Sequence, residues 1–192
     1  MVTGAPAADA AVDDVDLAVR LLARTPTHEG RDPGLLRHWA LAADAFGAAL
    51  AARPCRARIV ERDDGLDRLL LARYRSRPAT VELYTDTIER AEALIDARGW
   101  RSWYPAGSVR AAALAHEAAH EALHDAPVRA AFKEALGHTV LRAGRFRVLG
   151  HVAGAEEIAA HAHARTVCGL GRSPLLLTAA LAAAVTAPRR EN

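Results

Sequence analysis

Apolar residues recur at helical spacing in the N-terminal part of the chain and predict two amphipathic helices. The first helix begins at Asp13 or Asp14, either of which can act as its N-cap, and continues to about Arg24. The second helix begins near Leu35 and ends before Pro54. The chain should therefore open with a helical layer.

After that layer, β-branched and aromatic residues are concentrated in three short runs: ARIVE (57–61), LLLARYR (69–75) and TVELYT (80–85). The turn-forming stretches DDG and SRP separate the runs. This pattern predicts a small antiparallel sheet, although the second run could also form a helix.

Helical spacing returns after the predicted strands. Asp86 is expected to cap a helix, with Glu89 completing a capping box. The following loop, GWRSWYPAG (99–107), holds two of the three tryptophans, and such side chains are usually covered by a neighbouring element. Ser108 is expected to cap the next helix, which ends or bends at Pro127.

The C-terminal part is mostly helical by the same criteria. Segment 137–154 is too rich in glycine and β-branched residues to assign, a helix follows from about Ala155 to Cys168, and a last helix runs to Ala187. The predicted fold class is α+β: mostly helical, with a small antiparallel sheet ahead of the histidine-rich helix. We expect a disordered tail at 1–11 and a single domain at 12–192.

Composition narrows the function classes. The 192 residues include 25 Lys+Arg and 23 Asp+Glu, so no strong net charge indicates a nucleic-acid or membrane partner. Cys55 and Cys168 form no CxxC pair, which fits buried thiols in a reducing compartment. The N-terminal residues lack a signal-peptide pattern. We therefore expect a cytoplasmic location, and no feature of the sequence sets the oligomeric state.

The stretch LAHEAAHEALH (114–124) is the strongest chemical signal in the chain. His116 and His120 are four residues apart and share one helix face, so both imidazoles can reach one ion. Glu117 lies on the flank of this face, where its carboxylate could take a proton from a zinc-bound water. The same residues could also be only the solvated face of a helix.

A catalytic zinc ion needs a third protein ligand, and a second helix offers one. The stretch AEEIAAHAHAR (155–165) opens with two glutamates and continues with small alanines that would allow close approach to the first helix. Glu157 is favoured as the ligand, with Glu156 as the alternative. His161 lies one turn after Glu157 on the same face and could support it.

HEAAHEALH followed by EEIAAHAHARTVCGLG resembles the motif segments of ImmA/IrrE-type metallopeptidases and the related antirestriction metallopeptidase domains, over about residues 108–172. The resemblance implies a zincin-like fold and a Zn²⁺ ion held by His116, His120 and Glu157. It also implies that Glu117 is the general base and that the substrate is a protein or peptide, such as a regulator. Glu157 is followed by Ile158 rather than alanine, which keeps Glu156 open as the ligand.

Further side chains are candidates for the reaction itself. Tyr104, in the aromatic loop, could stabilise an oxyanion or line the cleft. His151 and His138, in the unassigned segment, could supply a hydrogen-bond donor to the transition state. A predicted edge strand ahead of the motif helix could pair with an extended peptide.

These observations predict a minimal intracellular zinc metallopeptidase. Two alternatives remain at the level of sequence. The pairs Glu117–His120 and Glu121–His124 are also ExxH pairs, of the kind found in di-iron carboxylate bundles. The chain could instead be a non-catalytic helical binding module with a degenerate metal site.

Overall fold

The structure is a computed structural model that describes residues 11–186, and these contain seven helices and five strands. The helices are α1 (Asp14–Ala23), α2 (Pro33–Ala49), α3 (Thr85–Arg98), α4 (Ser108–His124), α5 (Ala126–Leu136), α6 (Ala155–Val167) and α7 (Pro174–Thr186). The strands are β1 (Arg58–Arg62), β2 (Ala72–Ser76), β3 (Ala79–Tyr84), β4 (Thr139–Ala143) and β5 (Phe146–Leu149). The mostly helical α+β prediction is confirmed. The expected tail, apart from Ala11, and the expected helix end at Ala187 lie outside the described residues.

Helix α6 is the central helix and packs between α2 and α4. Its buried face is built largely from alanine, with Ala159, Ala160 and Ala164 fully shielded from solvent. Gly47 of α2 lies directly against the backbone of Ala159. The expected close approach of α6 to the histidine helix α4 is also observed, because small side chains keep the helix axes near one another.

The aromatic loop at 99–107 is covered, as expected. Trp100 is 4% exposed and Tyr104 is 1% exposed, and both belong to a core that includes Leu176 and Leu181 of α7. The Tyr104 hydroxyl donates a 2.7 Å hydrogen bond to the carbonyl of Ser173, just before α7 begins. The loop thus fastens the start of α7 to the start of α4.

The three-stranded sheet has the order β1–β3–β2 and precedes α4 in the chain. Strands β2 and β3 form the expected antiparallel hairpin, but β1 pairs parallel to β3. The prediction that this sheet is wholly antiparallel is wrong at β1, because the chain between β1 and β2 does not turn back tightly at DDG. It passes through a 3₁₀ turn at Leu66–Arg68, which places β1 on the far side of β3.

Two predicted helix caps are wrong. The Asp86 carboxylate accepts hydrogen bonds from the backbone N–H groups of Gly65 and Leu66. Asp86 therefore anchors the loop after β1 and is not the N-cap of α3. Helix α3 begins at Thr85, so Tyr84 stands in the N-cap position and Asp86 is the second residue of the helix. Ser108 is the first residue of α4, and Gly107 stands in the N-cap position with φ of 77°.

The segment left unassigned by its sequence, 137–154, contains the two-stranded hairpin β4–β5. Its glycine and β-branched content is what a short hairpin requires. The chain then enters α6 through Gly154, whose φ of 82° favours glycine.

Cys55 and Cys168 are free thiols, and both are half-buried. Burial raises the pKa of Cys168, which keeps it as a thiol. Within residues 11–186, no helix combines the length and apolar character needed to cross a membrane.

The contact between α2 and α6 provides a test of the packing. A Cβ atom added at Gly47 would lie 2.0 Å from the carbonyl oxygen of Ala159. In an open helix, Gly→Ala stabilises by up to about 1 kcal/mol, whereas overpacking costs about 1–3 kcal/mol. Gly47→Ala should therefore lower the free energy of unfolding in urea. Ala45→Ser, which adds one heavy atom at an exposed position of α2, is the control. If Gly47→Ala were more stable than the unmodified chain, as expected in an open helix, this close contact would be refuted.

Candidate metal centre

Two histidines of α4 form one side of the candidate centre. His116 and His120 face one another across one helical turn, with their Nε2 atoms 3.1 Å apart. Their side chains are only 15% and 19% exposed. The four-residue spacing read from the sequence thus aims both ring nitrogens at one point.

The third member comes from the first turn of α6. Oε1 of Glu157 lies 3.1 Å from Nε2 of His120, and Oε2 lies 3.4 Å from Nε2 of His116. Glu156 points elsewhere, with its carboxylate 3.8 Å from Nδ1 of His151. The geometry therefore brings Glu157, and not Glu156, to the two histidines.

The separations within this group match those of metal ligands. A tetrahedral ion with bonds of about 2.05 Å requires ligand atoms about 3.3 Å apart, whereas an octahedral ion would require about 2.9 Å. The contact of 3.1 Å between the two Nε2 atoms, and those of 3.1 and 3.4 Å from these atoms to the two carboxylate oxygens of Glu157, lie close to this range. His116, His120 and Glu157 thus form a group that could hold a metal ion.

The charges at the group also favour a cation. Hydrogen bonds from His116 and His120 hold the pKa of the Glu157 carboxyl well below its usual range, against the effect of burial. Burial alone would lower the pKa of His120, but its hydrogen bond to Glu157 and the neighbouring carboxylates outweigh burial and raise it. The group therefore keeps an ionised carboxylate and tends to take up a positive charge.

Glu117 is buried beside the two histidines, with 9% of its surface exposed. Its Oε2 accepts a 3.0 Å hydrogen bond from the backbone N–H of Tyr74 in β2. Since β2 is an edge strand, this N–H is not required by β3, and Glu117 ties the free edge of the sheet to α4. Nothing in the sequence pointed to this contact, because a backbone N–H is the same in every residue except proline.

A cleft of about 190 Å³ adjoins the candidate centre. His116, Glu117 and Glu157 lie in its wall, together with His161 and Tyr104. The metal-binding group and the buried carboxylate of Glu117 therefore share one cavity.

His161 supports the group differently from the expectation. It packs against His116, with ring centroids 4.4 Å apart. Burial, with a further effect from the charge of His116, holds the pKa of His161 well below its usual range, so the ring stays neutral. The buried Nδ1 atoms of both rings lack hydrogen-bond partners within residues 11–186. His116 is thus oriented by ring packing rather than by the acceptor that usually holds a ligating histidine.

The other proposed catalytic side chains lie in different settings. Tyr104 lines the cleft, but its hydroxyl donates a hydrogen bond to the carbonyl of Ser173. Burial raises the pKa of this hydroxyl above its ordinary value. His151 is exposed and contacts Glu156. The structure does not bring His151 into the group formed by His116, His120 and Glu157.

A second metal position is not found near this group. Across residues 11–186, His116, His120 and Glu157 are the one set of three or more potential ligands whose atoms lie within 4.8 Å of one another. Glu121 and His124, the second ExxH pair of the sequence, do not join it. The geometry supports a single ion better than a di-iron pair.

No protein-family model matches this chain, and no curated protein or solved structure matches it either. The likeness to ImmA/IrrE-type metallopeptidases accordingly rests on the motif residues alone.

Substitution of single ligands tests the composition of the group. His116→Ala, His120→Ala and Glu157→Ala should each weaken Zn²⁺ binding by more than about 100-fold, because even outer partners of a metal site contribute 10–100-fold. Glu156→Ala is the matched control and should bind as the unmodified chain does. Calorimetric titration with Zn²⁺ measures these affinities. Equal effects at positions 156 and 157 would contradict the assignment of Glu157.

The raised pKa of His120 predicts how binding depends on pH. A metal needs the neutral imidazole, so binding must displace any proton that His120 carries. Glu157 remains ionised and contributes no pH dependence in the neutral range. Zn²⁺ affinity should be highest above the His120 pKa and fall by about tenfold per pH unit below it. A constant affinity between about pH 8 and pH 6 would contradict this expectation.

Proposed function

We propose that the protein is a zinc-dependent metallopeptidase, with His116, His120 and Glu157 as ligands and Glu117 as general base. The observation that carries this proposal is the convergence of two imidazole nitrogens and the Glu157 carboxylate, at distances expected of ligands that share one ion, beside the buried carboxylate of Glu117. A solvated helix face would have no reason to place Glu157 of a second helix within 3.4 Å of both imidazoles.

Zinc is the ion that this donor set favours. Two imidazole nitrogens and one carboxylate oxygen are a common set for catalytic zinc, which leaves a fourth position for water or substrate. When bound, Zn²⁺ would lower the pKa of a water molecule and polarise a carbonyl group. Hard ions such as Mg²⁺ prefer oxygen ligands and octahedral geometry, which the two imidazoles do not supply.

Glu117 is suited to move a proton in this cleft. Glu117 follows His116 in sequence, and its carboxylate accepts a hydrogen bond from the Tyr74 N–H. The carboxylate therefore lies next to the ligands without belonging to the ligand group. A base in this position can accept a proton from water and later deliver it to a leaving amine. Its fixed orientation reduces the reorganisation that the reaction requires.

The free edge of β2 supports a peptide substrate. The sheet order leaves β2 unpaired on one side, and the bond from Tyr74 to Glu117 shows that this side faces the candidate centre. At residues of β2 other than Tyr74, whose N–H is bonded to Glu117, an extended peptide could add to this edge through main-chain hydrogen bonds and so bring a carbonyl group to the site. We infer a protein or peptide substrate, such as an intracellular regulator.

Glu117→Gln separates catalysis from metal binding. The amide oxygen can still accept the bond from Tyr74, so the fold and Zn²⁺ affinity should be preserved. Hydrolysis of an unfolded protein should fall by about 10²–10⁴-fold, because the proton acceptor is lost. Glu121→Gln, on the same helix but outside the cleft, is the control.

Three results would count against the proposal. Loss of Zn²⁺ in Glu117→Gln would make Glu117 a ligand and favour the di-iron alternative. Equal hydrolysis by Glu117→Gln and the unmodified chain would remove Glu117 from the reaction. Tight Zn²⁺ binding without hydrolysis of any peptide in a randomised library would favour a non-catalytic binding module.

A further inference from the structure

The loop between β1 and β2 forms one wall of the cleft beside Glu117. Three successive leucines, Leu69, Leu70 and Leu71, line this wall. Apolar residues of α4, α7 and the segment between α6 and α7 line the other sides, among them Ala112, Leu170 and Leu177. A mainly hydrocarbon surface thus begins within the same cavity as the candidate metal centre.

Most hydroxyl groups in the cleft walls are bonded within the protein. Tyr104 donates to the carbonyl of Ser173, and Thr178 donates a 3.1 Å bond to the carbonyl of Leu175. Of these three hydroxyl groups, only the buried hydroxyl of Ser108 lacks a hydrogen-bond partner within residues 11–186. Away from His116, Glu117, Glu157 and His161, the cleft wall therefore offers no charged group, and this part of the cleft favours an apolar side chain.

The leucine wall is held in place from outside the cleft. The Asp86 carboxylate accepts hydrogen bonds of 3.0 and 2.9 Å from the N–H groups of Gly65 and Leu66. Gly65 packs so closely on Tyr84 that an added Cβ would lie 2.4 Å from it. These contacts fix the loop where it leaves β1, before the three leucines.

Leu69 adopts a backbone conformation that is unfavourable for its side chain. Its φ of 54° and ψ of 36° lie in the left-handed region, where a residue with a Cβ is destabilised and glycine is not. Glycine or asparagine would fit this backbone better. The side chain that incurs this strain lines the cleft, and strain of this kind is concentrated at functional sites.

We propose that this cleft is the specificity pocket for the substrate side chain next to the cleaved bond, and that it selects an apolar side chain of leucine to phenylalanine size. This inference rests on the proposed peptidase function, but the pocket itself can be tested by binding. An apolar cavity of about 150 Å³ holds a benzene ring, and the whole cleft, including the part beside Glu117 and Glu157, measures about 190 Å³. Leu69 lines this cleft, and its side chain should limit the size of the side chain that enters.

Cleavage of a randomised peptide library by the Zn²⁺-loaded protein, read by mass spectrometry, tests the selectivity. The unmodified chain should favour Leu, Met or Phe over Ala at one position beside the cleaved bond by about 10–100-fold. Leu69→Gly should reduce this preference about tenfold and change the thermal midpoint little, because the relief of backbone strain offsets the loss of the side chain's packing against the core. Ala112→Leu should fill the cleft and shift the preference to Ala or Gly. Ala111→Leu, on the exposed side of α4, should behave as the unmodified chain does.

A binding measurement keeps the pocket testable without turnover. Zn²⁺-loaded Glu117→Gln is titrated with acetyl-Gly-Gly-Leu-Gly-Gly-amide and with the same peptide carrying Ala at its centre. The Leu peptide should bind about tenfold more tightly, and Leu69→Gly in the same background should abolish the difference.

The two measurements separate the pocket from the peptidase. Cleavage without apolar preference, or with a preference that Leu69→Gly leaves intact, overturns the pocket and keeps the peptidase. Selective binding of the Leu peptide without cleavage of any library member keeps the pocket and overturns the peptidase. Equal binding of both peptides together with absence of cleavage overturns both.

Discussion

The close packing of α6 between α2 and α4 is the constraint on which the candidate site depends. Helix α6 contributes Glu157, and this carboxylate can reach His116 and His120 only if the two helix axes are near one another. The buried alanines of α6 make this approach possible, and Gly47 allows α2 to pack closely against Ala159 of the same helix. Larger side chains would stabilise a core by burying more apolar area, but they would move the carboxylate away from the imidazoles.

The same arrangement places charge where a cation can balance it. An ionised Glu157 beside two partly buried imidazoles is favourable when a proton or a metal ion supplies positive charge. A metal ion does so with directional bonds to all three groups, whereas a proton can be held by only one or two of them. The convergence of the two imidazole nitrogens and the Glu157 carboxylate is therefore more informative than the presence of histidine in the sequence.

The sheet and its preceding loop complete the cleft from the opposite side. Tyr74 fixes the edge of β2 to Glu117, and Asp86 fixes the loop that carries the leucine wall. Both contacts join backbone N–H groups to carboxylates far away in sequence. One cleft thus combines His116 and Glu157 of the candidate metal centre, the buried carboxylate of Glu117, and an apolar wall that includes Leu69 in a left-handed backbone conformation.

The sequence by itself determined the features that depend on near neighbours. Helical periodicity located the helices, and the four-residue spacing of His116 and His120 set their shared direction, because residues one turn apart on a helix always meet. Tertiary structure decided the rest. It brought Glu157, and not Glu156, to the two histidines, and it placed the Asp86 carboxylate against the loop after β1 rather than at the N-cap of α3. It also made β1 parallel to β3. Each of these outcomes depends on how segments that are distant in sequence pack together. The local sequence does not distinguish which of two adjacent carboxylates, or which edge of a strand, will contact a given partner.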